Sequence, residues 1–143
     1  MNSLEGTRIL IVDDSNTIRR SAEIYLATYK DKRKTGLELR SVENGFDALP
    51  ELVEFRPDIV LLDVTMPRVD GFTICRAIKT HPEHRRCKVL MITSLNSLFD
   101  RAKGEQAGAD DYIAKPFTKD AILQYVEKHA PRREPAALQA RVN

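Results

Sequence analysis

Carboxylates close two apolar runs of this chain: Arg8-Ile9-Leu10-Ile11-Val12 leads into Asp13-Asp14, and Asp58-Ile59-Val60-Leu61-Leu62 leads into Asp63. Brought together, such groups repel one another and raise each other's pKa unless a hard cation neutralises them. Mg²⁺, which takes carboxylate, carbonyl and water oxygens, suits that role. Two further runs end in complementary chemistry, the hydroxyls of Thr93-Ser94 and the ammonium of Lys115-Pro116. One divalent cation and one ammonium balance three carboxylates, so the set would welcome a phosphoryl group. A carboxylate can attack phosphorus to form an acyl phosphate, and phosphoryl transfer depends mainly on positioning and on stabilising charge on the phosphoryl oxygens. Lys115 and Mg²⁺ could supply that stabilisation, and the Thr93 hydroxyl could donate a hydrogen bond. Singly, each residue has an ordinary role: Asp14 or Ser15 as a helix cap, Asp63 as the start of a loop, Thr93 as an N-cap, Lys115 as a solvated lysine. Capping explains one carboxylate, not three.

The chemistry requires that these residues meet at one edge. Ile9 to Val12, Leu37 to Val42, Ile59 to Leu62, Val89 to Thr93 and Asp111 to Ala114 read as strands, and helical patterns lie between them. Such alternation predicts an α/β fold with a five-stranded parallel sheet, doubly wound, with helices on both faces and chemistry beyond the carboxyl ends of the strands. Ile18, Ala22, Tyr25, Leu26 and Tyr29 give the first helix its apolar face; Leu49, Leu52 and Val53 the second; Phe72, Cys75 and Ile78 the third. Leu95, Leu98, Phe99 and Ala102 mark the fourth, and Ile122, Tyr125, Val126 and His129 the last, capped by Thr118. These faces are expected to pack on the sheet.

Length and composition set bounds. At 143 residues, with 42% hydrophobic and 31% charged, the chain fits one globular domain, and a net charge of +2 argues for neither nucleic acid nor a membrane surface. No apolar stretch approaches the roughly 20 residues of a membrane span, and no leader pattern opens the chain, so a cytoplasmic location is expected. Cys75 and Cys87 should be reduced thiols. His81, His84 and Cys87 fall at three-residue intervals, but their polar, basic surroundings favour an ordinary loop over a metal site. The domain is expected over residues 1–130, with residues 131–143 as a short tail and the basic stretch Lys30 to Gly36 as a solvated connection.

With these motifs in place, ILIVDDSNTIRR, VLLDVTMPRVDGF, VLMITS and DDYIAKPF, the chain resembles the receiver domains of bacterial two-component systems, flavodoxin-like and CheY-like in fold, over about Thr7 to Ala130. The resemblance implies that Asp63 is the phosphoacceptor, and that Asp14 and Asp63 bind Mg²⁺ with the Thr65 backbone carbonyl while Asp13 assists through water. Thr93 and Lys115 would read the phosphoryl group, and Tyr112 would be the switch aromatic. It also implies a cis Lys115-Pro116 bond, a histidine kinase or phosphotransfer domain as donor, and a protein effector on the face of the fourth helix, fifth strand and fifth helix. Within the family, SLFDRAKG (Ser97 to Gly104) and TIRRSAE (Thr17 to Glu23) are most similar to single-domain receivers of type IV pilus twitching-motility pathways, ahead of flagellar chemotaxis or another phosphorelay.

Three alternatives fit less well. An aspartate-nucleophile phosphatase usually needs a second acid two residues after the nucleophile, where Thr65 stands. A flavin module would need a Ser/Thr/Gly-rich phosphate loop after the first strand, which here carries carboxylates, and aromatics against the ring, in a chain without Trp. A transcription factor would need a helix-turn-helix domain, for which the residues after Ala130 are too few.

Overall fold

Strand and helix alternate through the chain: β1 (Arg8–Val12), α1 (Asn16–Arg33), β2 (Glu38–Val42), α2 (Gly45–Glu54), β3 (Ile59–Asp63), α3 (Gly71–Thr80), β4 (Lys88–Thr93), α4 (Leu98–Ala107), β5 (Asp111–Ala114) and α5 (Lys119–His129). The computed structural model describes residues 6–33, 36–64, 70–93 and 98–131; Thr65, Ser94, Leu95 and most of the C-terminal tail lie outside them. All strand pairs are parallel, in the order β2-β1-β3-β4-β5. The expected architecture is therefore the one observed. No helix among the described residues is long and apolar enough to cross a membrane.

Burial explains the order. The apolar strands β1 and β3 have neighbours on both sides, and every residue of IVLLD in β3 is buried. ELRSV of β2, with alternate exposed positions, takes an edge. Because side chains alternate across a strand, the sheet divides its core in two. Ile9, Ile11, Ile59, Leu61 and Ile113 pack with Ala22 and Leu26 of α1 and Ile122 and Val126 of α5. Leu10, Val12, Val60, Leu62 and Met91 pack with Leu52 of α2, Cys75 and Ile78 of α3 and Ala107 of α4. Each fully buried Leu or Ile contributes about 1.5–3 kcal/mol of transfer free energy.

Four local expectations are corrected. Helix α1 runs to Arg33, into the basic stretch read as a connection. Leu37 is buried but precedes β2. In α2 the inward positions are Ala48 and Leu52, whereas Leu49 and Val53, one residue further round the helix, are 45% and 64% exposed. In α4, where the side chains of Leu98 and Phe99 lie outside the described ones, Gly104 and Ala107 are buried and Ala102 faces out. Thr118 does cap α5, accepting from the Ala121 N–H at 3.1 Å.

Candidate functional site

Register alone brings the site together. Val12 pairs with Leu62, so the next residues, Asp13 and Asp63, leave β1 and β3 side by side. Asp63 pairs with Ile92, which puts Thr93 one step beyond it, and Thr93 pairs with Ala114, which Lys115 follows. Asp13, Asp63 and Lys115 continue the alternation of Ile11, Leu61 and Ile113, toward the α1–α5 face. Thr93 continues that of Met91, which pairs with Tyr112, so Thr93 and Tyr112 share the opposite face.

The side chains converge as the register requires. Lys115 Nζ lies 3.1 Å from Asp13 Oδ2 and 3.3 Å from Asp63 Oδ1. Asp13, Asp63 and Thr93 are buried, and Asp14 is exposed. Burial alone would push the Lys115 pKa down; ion pairing and hydrogen bonding, first with Asp13 and then with Asp63, outweigh it and hold the ammonium above its ordinary value. Lys115 is thus a fixed cation between two buried carboxylates. The Lys115-Pro116 bond is cis, and the Lys115 N–H donates to the Thr93 carbonyl at 2.7 Å.

Oxygens of Asp13, Asp14 and Asp63 all lie within 4.8 Å of one another. Asp13 Oδ1 accepts from the Ser15 N–H at 2.9 Å, while the buried Asp13 Oδ2 has the Lys115 ammonium beside it, at 3.1 Å, and no backbone donor among the described residues. A buried carboxylate oxygen left in that state, beside two further carboxylates, is a donor set for a hard divalent cation, and Mg²⁺ fits it. Thr65, expected to add a carbonyl, is outside the described residues.

Two contributors, Arg19 and Gly71, escaped the sequence reading, and the choice between two caps is decided. Arg19 of α1 donates from its guanidinium to the Asp13 carbonyl and to Asn16 Oδ1, tying the first turn of α1 to the acidic corner. Ser15, one of two candidate caps, is the one that accepts from the Ile18 N–H, at 3.3 Å, which leaves Asp14 for the site. Gly71 opens α3 against the Asp63 backbone, and its N–H donates to the Val64 carbonyl at 3.1 Å. Asp70, which accepts from the Thr73 N–H, was the signal that a helix starts there, but not that it lies so close. Away from the site, His81 and His84 group with Glu83 rather than with Cys87, whose buried thiol faces the Lys88 carbonyl.

Comparison with known proteins supplies the family and the fold. The model of the response regulator receiver domain matches residues 9–127. The chain is similar to protein PilG of Pseudomonas aeruginosa, 37% identical over 92% of this chain and 93% of that one. It is also similar to the transcriptional regulatory protein GltR of the same organism, 36% identical over 87% of this chain but only 49% of that one. The chain therefore spans about half the length of this second relative. Among solved structures, the chemotaxis protein CheY4 of Vibrio cholerae superimposes with a TM-score of 0.78 at 27% identity, covering 86% of this chain and 98% of that one.

Proposed function

Because the chain belongs to the response regulator receiver domain family, signalling domains of two-component systems rather than classical enzymes, we propose that Asp63 is its phosphoacceptor. The observation that carries this reading is the Lys115 ammonium at 3.3 Å from a buried Asp63 at the end of the central strand. An Asp63 oxygen attacks the phosphorus of a kinase phosphohistidine; the P–O bond forms, the P–N bond breaks, and the imidazole leaves. Asp13, Asp14 and Asp63, with the Thr65 carbonyl, would hold Mg²⁺, which when bound neutralises charge on the phosphoryl oxygens. Lys115 holds its proton throughout and offers the second positive charge. The Thr93 hydroxyl donates to a phosphoryl oxygen.

Receivers of this family work between histidine kinases and downstream effectors. Thr93 and Tyr112 share one sheet face, which supports Tyr112 as the switch and the α4–β5–α5 face as the effector surface. The acting unit is residues 1–130, with 131–143 as a tail, in the cytoplasm. Similarity to PilG over 92% of this chain supports a protein effector in a type IV pilus twitching or chemotaxis pathway. The test is incubation with acetyl phosphate and Mg²⁺, followed by intact mass and site mapping. One phosphoryl group on Asp63, absent with excess EDTA and absent from Asp63→Asn, is expected. Full incorporation into Asp63→Asn would refute the assignment.

A further inference from the structure

Gly104 sits in the interior of α4, where glycine weakens a helix relative to alanine, so its presence needs a reason from outside the helix. Tyr112 of β5 supplies one. A Cβ on Gly104 would stand 2.4 Å from the Tyr112 Oη, 2.5 Å from Cε1 and 2.9 Å from Cζ, far inside van der Waals contact. The edge of the phenol ring fills the volume that any other residue type would need. Gly104 is buried while Lys103 and Glu105 are exposed, so the notch lies on the inner side of α4. Its backbone is held there, since the Gly104 carbonyl accepts from the Ala109 N–H at 2.9 Å in the turn that leads to β5. Tyr112 itself is half-buried and packs against the core cluster that contains Met91.

We propose that Gly104 is a positioning residue for Tyr112: its missing side chain makes the seat in which the ring rests, and this seat governs how Tyr112 responds to phosphorylation. Only the second half rests on the phosphoacceptor reading. A ring with a discrete seat has a place to occupy and a place to leave, and a two-state response needs such a pair of positions. Filling the notch removes one of them without touching Asp13, Asp14, Asp63, Thr93 or Lys115.

In the native full chain, Tyr112 ring protons should show nuclear Overhauser contacts to the Gly104 α protons; their absence overturns the seat. A stability cycle then tests it energetically. In a Tyr112→Ala background, Gly104→Ala should raise the denaturation midpoint, as alanine does in a helix; with Tyr112 present it should lower it. Equal changes in both backgrounds overturn the proposal, and if Gly104→Ala fails to fold only when Tyr112 is present, that non-additivity supports it. For the response, the Tyr112 ring signal in Gly104→Ala should start displaced and shift less than in the native chain on adding beryllofluoride and Mg²⁺. A native-sized shift overturns the coupling. Beryllofluoride binding is followed separately at the Asp63 amide: its failure in the native chain would remove the phosphoacceptor reading and the coupling with it, while the nuclear Overhauser contacts and the cycle still decide the seat.

Discussion

The carbonyl oxygen of Asp63 lies 2.1 Å from the point that a Cβ on Gly71 would occupy, with Val64 Cα at 3.0 Å from the same point. The first turn of α3 therefore lies flat against the backbone of the proposed phosphoacceptor. Backbone atoms of a central strand cannot swing aside as a flexible side chain does. Gly71→Ala should cost about 1–3 kcal/mol, the usual range for overpacking, and should reduce phosphoryl incorporation at Asp63. Denaturant midpoints and incorporation from acetyl phosphate measure both; an unchanged midpoint would mean that α3 slides freely.

Lys115 counters two buried carboxylates, so replacing it by Met leaves them uncompensated. A broken buried pair costs about 3–5 kcal/mol, and with 17% of the lysine side chain exposed the lower end applies. The loss should be larger in EDTA than in Mg²⁺, and Mg²⁺ should bind more tightly to Lys115→Met than to the native chain, because the ammonium no longer competes for the same oxygens. Calorimetric titration checks the second point, and weaker binding would contradict it.

Thr93→Ala should leave phosphorylation of Asp63 possible and weaken the response to it. A hydrogen bond to a charged acceptor is worth about 1.5–3 kcal/mol, enough to move a two-state balance roughly tenfold or more. Tyr112 ring signals recorded with and without beryllofluoride report that balance. A native response in the variant would remove Thr93 from the switch.

Asp111, where β5 begins, is tied to α5. Burial pushes its pKa up, but hydrogen bonds from His129, the Tyr112 N–H and Lys128 outweigh burial and hold it below the ordinary 3.8. A lowered carboxyl pKa stabilises the fold above the unfolded value, and that contribution is lost as pH falls through the folded one. Asp111→Asn should therefore be less stable than the native chain at pH 7, by up to about 1 kcal/mol for so exposed a partner as Lys128, with the gap closing as the pH drops below 3.8. A gap that widens in acid would refute the linkage.

Much of this architecture was legible in the sequence because it depends on short-range signals. Apolar runs at β1 and β3 ending in Asp13 and Asp63 needed only a parallel register to bring the carboxylates together, and alternation of strand and helix demanded that register. Helix facing was harder. Leu49 and Val53 differ from Ala48 and Leu52 by one step of 100° around α2, and only packing against the sheet selects between such neighbours. The roles of Gly71 and Gly104 were invisible for another reason, since each depends on what approaches from a distant part of the chain. Nothing in the local sequence around Arg19 marks its reach to the Asp13 carbonyl, which depends on where α1 sits.

The 2.7 Å bond from the Lys115 N–H to the Thr93 carbonyl gears two levers together. One lever carries the hydroxyl and the other the ammonium, and the shared peptide contact means that a backbone shift in either drags its neighbour. The proposed hydroxyl reader and the proposed charge balance thus hang on one main-chain contact, so a backbone displacement at the end of β4 reaches the ammonium without passing through any side chain.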